Sequence, residues 1–195
     1  MSSKIFKFVN YLYVMMITNI MALIYLAVGI FSFTLVPVIF TVVDIMYSLI
    51  QEEIDGYTGI FKYFNSVFFE NLKKYKKEEI FTGIYALILV IAIFILRRVP
   101  IPFATSLNML FMYIYSIISV YFAYYKLSIL LKENKINHIE ALRLIFRSPK
   151  NLVKTILIFI ISIIIGIMFK EFLALFSISL FILLLIKINK RTLDY

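Results

Sequence analysis

The chain has 195 residues, 63% of them hydrophobic, a formal net charge of +9 and a mean hydropathy of +0.99. That hydropathy excludes an ordinary soluble domain, so the length is better counted in membrane spans of about 20 residues. Cysteine is absent, which excludes a disulfide framework, a thiolate metal site and a cysteine nucleophile.

The basic residues sit between apolar runs, which points to anionic lipid headgroups and a positive-inside bias, not to nucleic acid. Tryptophan is also absent, so an interfacial aromatic belt must be built from the 14 tyrosines. Lys4 and Lys7 before an apolar run mimic a signal peptide, with Ala27-Val28-Gly29 as small residues at cleavage spacing. The run is longer than a signal core and more apolar sequence follows, so the segment reads as an uncleaved anchor.

From Phe8 to Ile50 the only formal charge is Asp44. One helix over that stretch would be about 65 Å long, twice a bilayer core. Gly29, Ser32, Thr34 and Pro37 are the available breakers, which gives spans at 9–31 and 37–53, the second short enough to be a half-inserted helix.

Asp55-Gly56 makes a turn into 58–77, TGIFKYFNSVFFENLKKYKK. At 100° per residue Phe61, Phe64, Val67, Phe68, Leu72 and Tyr75 share one side. Lys62, Asn65, Ser66, Glu70, Lys73, Lys74 and Lys77 take the other. The pattern is that of an amphipathic helix lying on a membrane surface.

Span three covers 79–96 and closes on Arg97-Arg98-Val99-Pro100-Ile101-Pro102, where two prolines force extended backbone. Span four covers 103–131. Asn137 with Glu140 then forms a capping box for a second short amphipathic helix, 138–147, in which Ile139, Leu142, Ile145 and Phe146 oppose Glu140, Arg143 and Arg147. Ser148-Pro149 restarts the chain as span five, 151–169. Lys170-Glu171 is a tight turn, and 172–186 is span six. A faint echo links 65–95 with 140–169, each an amphipathic helix, a lysine-bearing joint and a span, with too few identities to count as a repeat.

The expected fold is all-α: a polytopic helical membrane protein in one domain. About six transmembrane helices form three hairpins, with two cytosolic amphipathic helices. With the N-terminus in the cytosol, only Arg97, Arg98 and Lys170 fall outside, and the other 17 of the 20 basic residues lie inside or at the inner boundary. That asymmetry sets both termini in the cytoplasm at the cell membrane. The outer loops, 32–36, 97–102 and 170–171, are too small to capture a ligand.

The chain resembles the YesL-like family of small bacterial integral membrane proteins, a family without an assigned function. The likeness rests on Gly29 and Pro37, on Glu53-Ile54-Asp55-Gly56-Tyr57, and on Phe61-Lys62-Tyr63-Phe64. Phe69-Glu70-Asn71-Leu72-Lys73 and Phe146-Arg147-Ser148-Pro149-Lys150 complete it. Val38, Ile39 and Asp44 depart from the pattern. The resemblance implies a multi-span protein encoded beside carbohydrate uptake genes, often with sugar importers driven by an ATPase. No catalytic residue comes with it.

His138, the only histidine, has only Glu140 near it as a further ligand and reads as an interfacial residue opening a helix. Asp44, the one acid deep in a span, is the intramembrane polar candidate; Lys126 is the cation that could pair with it. Ser119 with Ala123 and Ser162 with Gly166 have small-xxx-small spacing suited to close helix contact. No phosphate loop, nucleophile elbow or zinc-protease motif is present, so catalytic, cofactor and metal residues are all expected to be none.

The leading expectation is a non-enzymatic accessory subunit that binds lipid bilayer and another membrane protein, stabilising or regulating it. The partner would be the permease or ATPase subunits of a sugar ABC importer. Phe61, Phe64, Phe68, Leu72, Leu142, Ile145 and Phe146 would be the apolar contacts, and Arg143 and Arg147 would pair with acidic groups or lipid. Glu140-Ala141 invites comparison with the Glu-Ala-Ala loop of importer permeases, although Phe146 stands where that motif wants glycine. The alternatives are a small homo-oligomeric transporter or channel using Asp44, and a membrane-surface regulator of a cytosolic protein.

Overall fold

The computed structural model describes residues 2–29, 33–53, 59–98, 104–132, 138–147, 149–168 and 170–193. The expected turn at Asp55-Gly56, the Pro100–Pro102 joint, the Asn137 cap and Ser148 lie outside the described residues. Among those described the chain is all-helical: α1 (Ser2–Val28), α2 (Leu35–Ile50), α3 (Ile60–Lys74), α4 (Lys76–Arg98), α5 (Ala104–Lys132), α6 (His138–Arg147), α7 (Pro149–Met168) and α8 (Lys170–Leu193).

By length and composition one stretch among the described residues, Ile5–Val28, could cross a membrane; Leu35–Ile50, Ser116–Leu130 and Ile178–Asn189 are shorter apolar helices. The expected surface helix 58–77 ends earlier, because the chain breaks at Tyr75 and restarts as α4 one residue later.

The centre of the molecule is α2. Twelve of its 16 residues are buried, and α1, α3, α4, α5 and α8 all pack on it. Val36, Val38, Phe40, Val42, Val43, Ile45 and Met46 are sealed from the surface. A helix apolar all round is stable only when enclosed on all sides, which explains why this stretch shows no polar face. At about 24 Å it is short for a membrane span.

α1 and α2 form an antiparallel hairpin tied at both ends. At the open end Lys7 pairs with Glu52 at 2.9 Å and the Tyr11 hydroxyl donates to the Leu49 carbonyl at 3.1 Å. At the turn Thr34 Oγ1 donates to the Tyr25 carbonyl at 2.9 Å, which also accepts from the Gly29 amide at 3.0 Å. Gly29 makes this fit possible, because a Cβ there would overlap the Thr34 side chain.

α2 ends in a Schellman arrangement: the Glu53 amide donates to Ser48 O at 3.0 Å and the Glu52 amide to Leu49 O at 3.2 Å. The residue in the left-handed conformation is Glu52, at φ 60°, where glycine is usual. An L-residue there costs roughly 1–2 kcal/mol, while the exposed Lys7–Glu52 pair offers little in return. Glu52→Gly is therefore expected to leave the protein as stable or slightly more so, measured by thermal unfolding in detergent; a clear loss would mean that the ion pair matters more than the backbone.

α3 is not a lone surface segment. Its apolar side packs onto the turn half of the α1–α2 hairpin, with Phe64 at 0% and Phe68 at 2% exposure. The Tyr25 ring lies 4.1 Å from that of Phe68 and 5.6 Å from that of Phe64, and its hydroxyl donates to Asn65 Oδ1 at 2.8 Å. Phe33, in the turn itself, stands against Gly83 of α4, 2.5 Å from where a Cβ would be.

The sequence reading set 58–77 level with the Lys7 end of the hairpin, whereas the structure brings α3 and the start of α4 against its turn half. The aromatic residues decide this: buried against Tyr25 they leave both water and lipid, which no position on a bare membrane surface allows.

α4 and α5 are neighbours, as are α7 and α8, and α6 bridges α5 and α7. Asn151 at the start of α7 donates to the Ile188 carbonyl near the end of α8 at 3.4 Å, so that pair is antiparallel. Asn19 of α1 holds α8, its Oδ1 accepting from the main-chain amides of Ile178 at 3.0 Å and Ser179 at 3.3 Å.

Candidate functional site

The buried charge lies where α2, α3 and α5 meet. Asp44 projects from the middle of α2, and Lys126, late in α5, reaches its Oδ2 with Nζ at 2.9 Å. Lys126 is the partner weighed for Asp44 from sequence alone. Their side chains are 7% exposed for Lys126 and 16% for Asp44, so the pair is largely out of solvent.

Asn71 of α3 completes it from the third side. Its Nδ2 donates to Asp44 Oδ2 at 2.9 Å and to Thr41 Oγ1 at 3.3 Å, while its Oδ1 accepts from Lys126 Nζ at 3.2 Å. Thr41 in turn donates to the Pro37 carbonyl at 2.7 Å, one turn back along its own helix.

Two rings close over the ammonium. Lys126 Nζ stands 5.3 Å from the Tyr75 centroid and 5.6 Å from that of Phe40, and the rings meet edge to face at 4.5 Å. Asp44 and Lys126 neutralise each other, Asn71 bridges both, and the ring faces offer further cation–π attraction. The arrangement is a charged clasp fastening three helices. Asn71 was missed from sequence, where it entered only as part of the run Phe69-Glu70-Asn71-Leu72-Lys73; its burial at 3% exposure follows from its place beside Phe64 on the packed side of α3.

Tyr75, at the joint between α3 and α4, has its phenol pushed up to about 12, first by burial and then by the neighbouring Asp44 carboxylate. The sign of the linkage is set by that rise. Below the ordinary phenol range, near pH 10, folded and unfolded forms are both neutral; between there and about 12 only the unfolded form ionises, so stability falls as pH rises. Tyr75→Phe is expected to flatten part of this alkaline loss and to remove one late-ionising group from an ultraviolet phenolate titration.

A second polar network joins α5, α7 and α8. The Tyr124 hydroxyl and Thr155 Oγ1 are 2.5 Å apart, and Asn189 Nδ2 donates to Tyr124 at 3.3 Å and to the Leu185 carbonyl at 2.9 Å. His138 at the start of α6 stacks on Tyr125 at 4.4 Å and meets the Tyr121 hydroxyl through Nδ1 at 2.8 Å, with Glu78 of α4 at 3.9 Å from Nε2. It opens a helix, as expected, and also fastens α6 to α5 and α4. Among the described residues no group of three or more potential metal ligands comes together.

The expected partner contacts divide sharply. Phe61, Leu142, Arg143 and Phe146 are exposed, Phe61 at 49% and Phe146 at 69%. Phe64 and Phe68 are core residues and Leu72 is partly buried against that core, so these three are withdrawn from the surface. The side chains of Ile145 and Arg147 lie outside the described residues. α3 and α6 do not form one surface: α3 lies on the α1–α2 hairpin, whereas α6 lies on α5 and α7.

The chain matches no protein-family model, no curated protein and no solved structure.

Proposed function

We propose that the chain is a multi-span membrane protein acting as a non-enzymatic accessory subunit of another membrane protein. The observation that carries this reading is the uncovered apolar flank. Phe81, Ile84, Ile88, Ile91, Phe94 and Ile95 face outward along α4, and Val153, Ile156, Leu157, Ile160 and Ile161 do so along α7. An apolar surface of that extent has no place in water and suits lipid or a neighbouring helix.

The basic roots of these hairpins, Lys73, Lys74, Lys76 and Lys77 on one side and Arg143, Lys150 and Lys154 on the other, mark the cytoplasmic boundary by the positive-inside bias.

The buried clasp supports a structural role over a transport role. Asp44 and Lys126 are engaged with each other and with Asn71, and transport through Asp44 would require that engagement to open. A sugar ABC importer as the partner follows from the resemblance to the YesL-like family.

Photo-crosslinking side chains at Phe61 and at Phe81 in native membranes test the reading, with Phe68 as the buried control. Adducts with permease or ATPase subunits from the first two positions, and none from the third, are expected. Adducts only between copies of this chain, with transport by the purified protein in liposomes, would replace it with the oligomeric transporter.

A further inference from the structure

Two helices run far past the turn of the α1–α2 hairpin. α4 leaves the joint at Tyr75, whose ring meets that of Phe40 at 4.5 Å, and passes the turn where Gly83 stands against Phe33. It stays helical to Arg98, about 22 Å further on.

α5 gives the same measure independently. Phe122 lies beside Phe40, with ring centroids 6.1 Å apart, and Lys126 lies beside Asp44, so α5 runs in the direction of α2. Back from Phe40, α2 reaches its first residue, Leu35, within about 8 Å. Back from Phe122, α5 reaches its own, Ala104, only after about 27 Å. Both helices therefore outrun the turn by about 20 Å, and there they expose large apolar side chains, Ile88, Ile91 and Phe94 on α4 and Leu110 and Tyr113 on α5.

α2 adds about 24 Å on the other side of the turn, which makes the bundle about 45 Å long against a hydrocarbon core of about 30 Å. The core cannot cover both ends, and charge decides between them. Lys73, Lys74, Lys76 and Lys77, all exposed, flank Tyr75 and so stand near the level of Phe40, about 10 Å from Phe33 along α2. A hairpin crossing the full core would carry these four lysines into hydrocarbon, where each is costly.

With the lysines at the inner boundary instead, the length from Lys77 to Arg97 is about 30 Å, the thickness of the core. Neither 80–96 of α4 nor 104–125 of α5 carries a formal charge. The counterpart is that Ile5, Phe6 and Phe8, at 62–64% exposure, leave the core at the start of α1. Exposed apolar side chains are tolerated in water far better than lysine is in hydrocarbon.

We propose that α1 and α2 form a re-entrant hairpin that enters and leaves on the cytoplasmic side, with its turn held in the inner leaflet against Gly83. The inference rests on the membrane reading above. The turn, 29–36, carries no charge, so the count of basic residues on each side is the same whether or not it reaches the outer face. Asp44, on the far side of Phe40 from the turn, then lies at the inner boundary and not at mid-bilayer. An ion route through it would meet no charged side chain along the rest of α4 and α5 within the core.

The absence of cysteine and tryptophan allows single probes in the full-length chain. Val28→Cys and Phe33→Cys place a thiol at exposed positions by the turn, and Arg98→Cys places one at the exposed end of α4. Phe33→Trp and Ile91→Trp report lipid contact through quenching by phosphatidylcholine brominated on its acyl chains. In intact cells a membrane-impermeant maleimide should label Arg98→Cys and neither turn position, and in reconstituted vesicles both tryptophans should be quenched.

Labelling of Val28→Cys or Phe33→Cys from outside, as complete as that of Arg98→Cys, would overturn the proposal by showing that the hairpin crosses. So would a quenched Phe33→Trp with an unquenched Ile91→Trp, which would leave α4 projecting beyond the outer face. An unquenched Phe33→Trp beside a quenched Ile91→Trp would overturn it too, by putting the turn outside lipid. The two turn positions report separately, so if one cysteine variant fails to fold the other carries the test. If neither tryptophan is quenched, the membrane reading itself falls.

Discussion

Lys126→Met is expected to destabilise the protein by about 3–5 kcal/mol, the usual effect of removing one partner from a buried ion pair. The cause is mainly what remains. Asp44, held away from solvent between α2, α3 and α5, would keep only the Asn71 amide as a donor at its Oδ2. Methionine preserves most of the apolar stem against Phe40 and Tyr75, so little of the loss should come from packing.

Asp44→Leu should cost a similar amount by stranding the ammonium. The double variant Asp44→Leu with Lys126→Met should recover most of the loss, since two apolar side chains can replace a buried pair at little cost. Recovery should be incomplete, because Asn71 would lose two of its three bonds and an unsatisfied buried amide costs about 1–3 kcal/mol. Thermal unfolding of the four proteins in one detergent closes the cycle. If the two single losses simply add in the double variant, the clasp is not a coupled unit.

Phe68→Ala should cost about 3–5 kcal/mol, the range for truncating a core phenylalanine, and should loosen α3 from the hairpin. Phe68 is buried at 2% exposure against Tyr25, with Phe64 and Phe69 beside it. Phe61→Ala and Phe69→Ala, on exposed positions of the same helix, should change stability by no more than about 0.5 kcal/mol. Accessibility of single cysteines on α3 to a thiol reagent gives an independent readout, and should rise in Phe68→Ala alone. Equal effects from all three substitutions would restore the surface-lying helix that the sequence suggested.

Sequence and structure agree on the pairing of Asp44 with Lys126 and part at Phe64 and Phe68. Period and composition located the helices well because they reflect local chemistry. The capping pattern and apolar face of 138–147 gave α6 its limits, and Gly29, Thr34 and Pro37 marked the break between α1 and α2. The approach of Lys126 to Asp44 was also legible, because a lone acid in an apolar run calls for a cation and few lie within apolar sequence.

The bridging role of Asn71 was not legible. On a helical wheel it falls about 20° from Phe64, on the apolar side, and only the neighbours of α3 show which groups it joins. For the same reason Phe64 and Phe68 could not be told from Phe61.

By itself, the sequence determined a helical, strongly apolar, basic chain with its breaks, its amphipathic segments and one carboxylate deep in an apolar run, since each depends on neighbours within a few residues. The tertiary structure alone decided that α2 is the hub, that α3 packs on the turn half of the α1–α2 hairpin, and that Asp44, Asn71 and Lys126 close into one clasp. An amphipathic face specifies that a helix must bury one side. What it buries that side against is settled by contacts between residues 27 and 55 positions apart, and no local pattern encodes them.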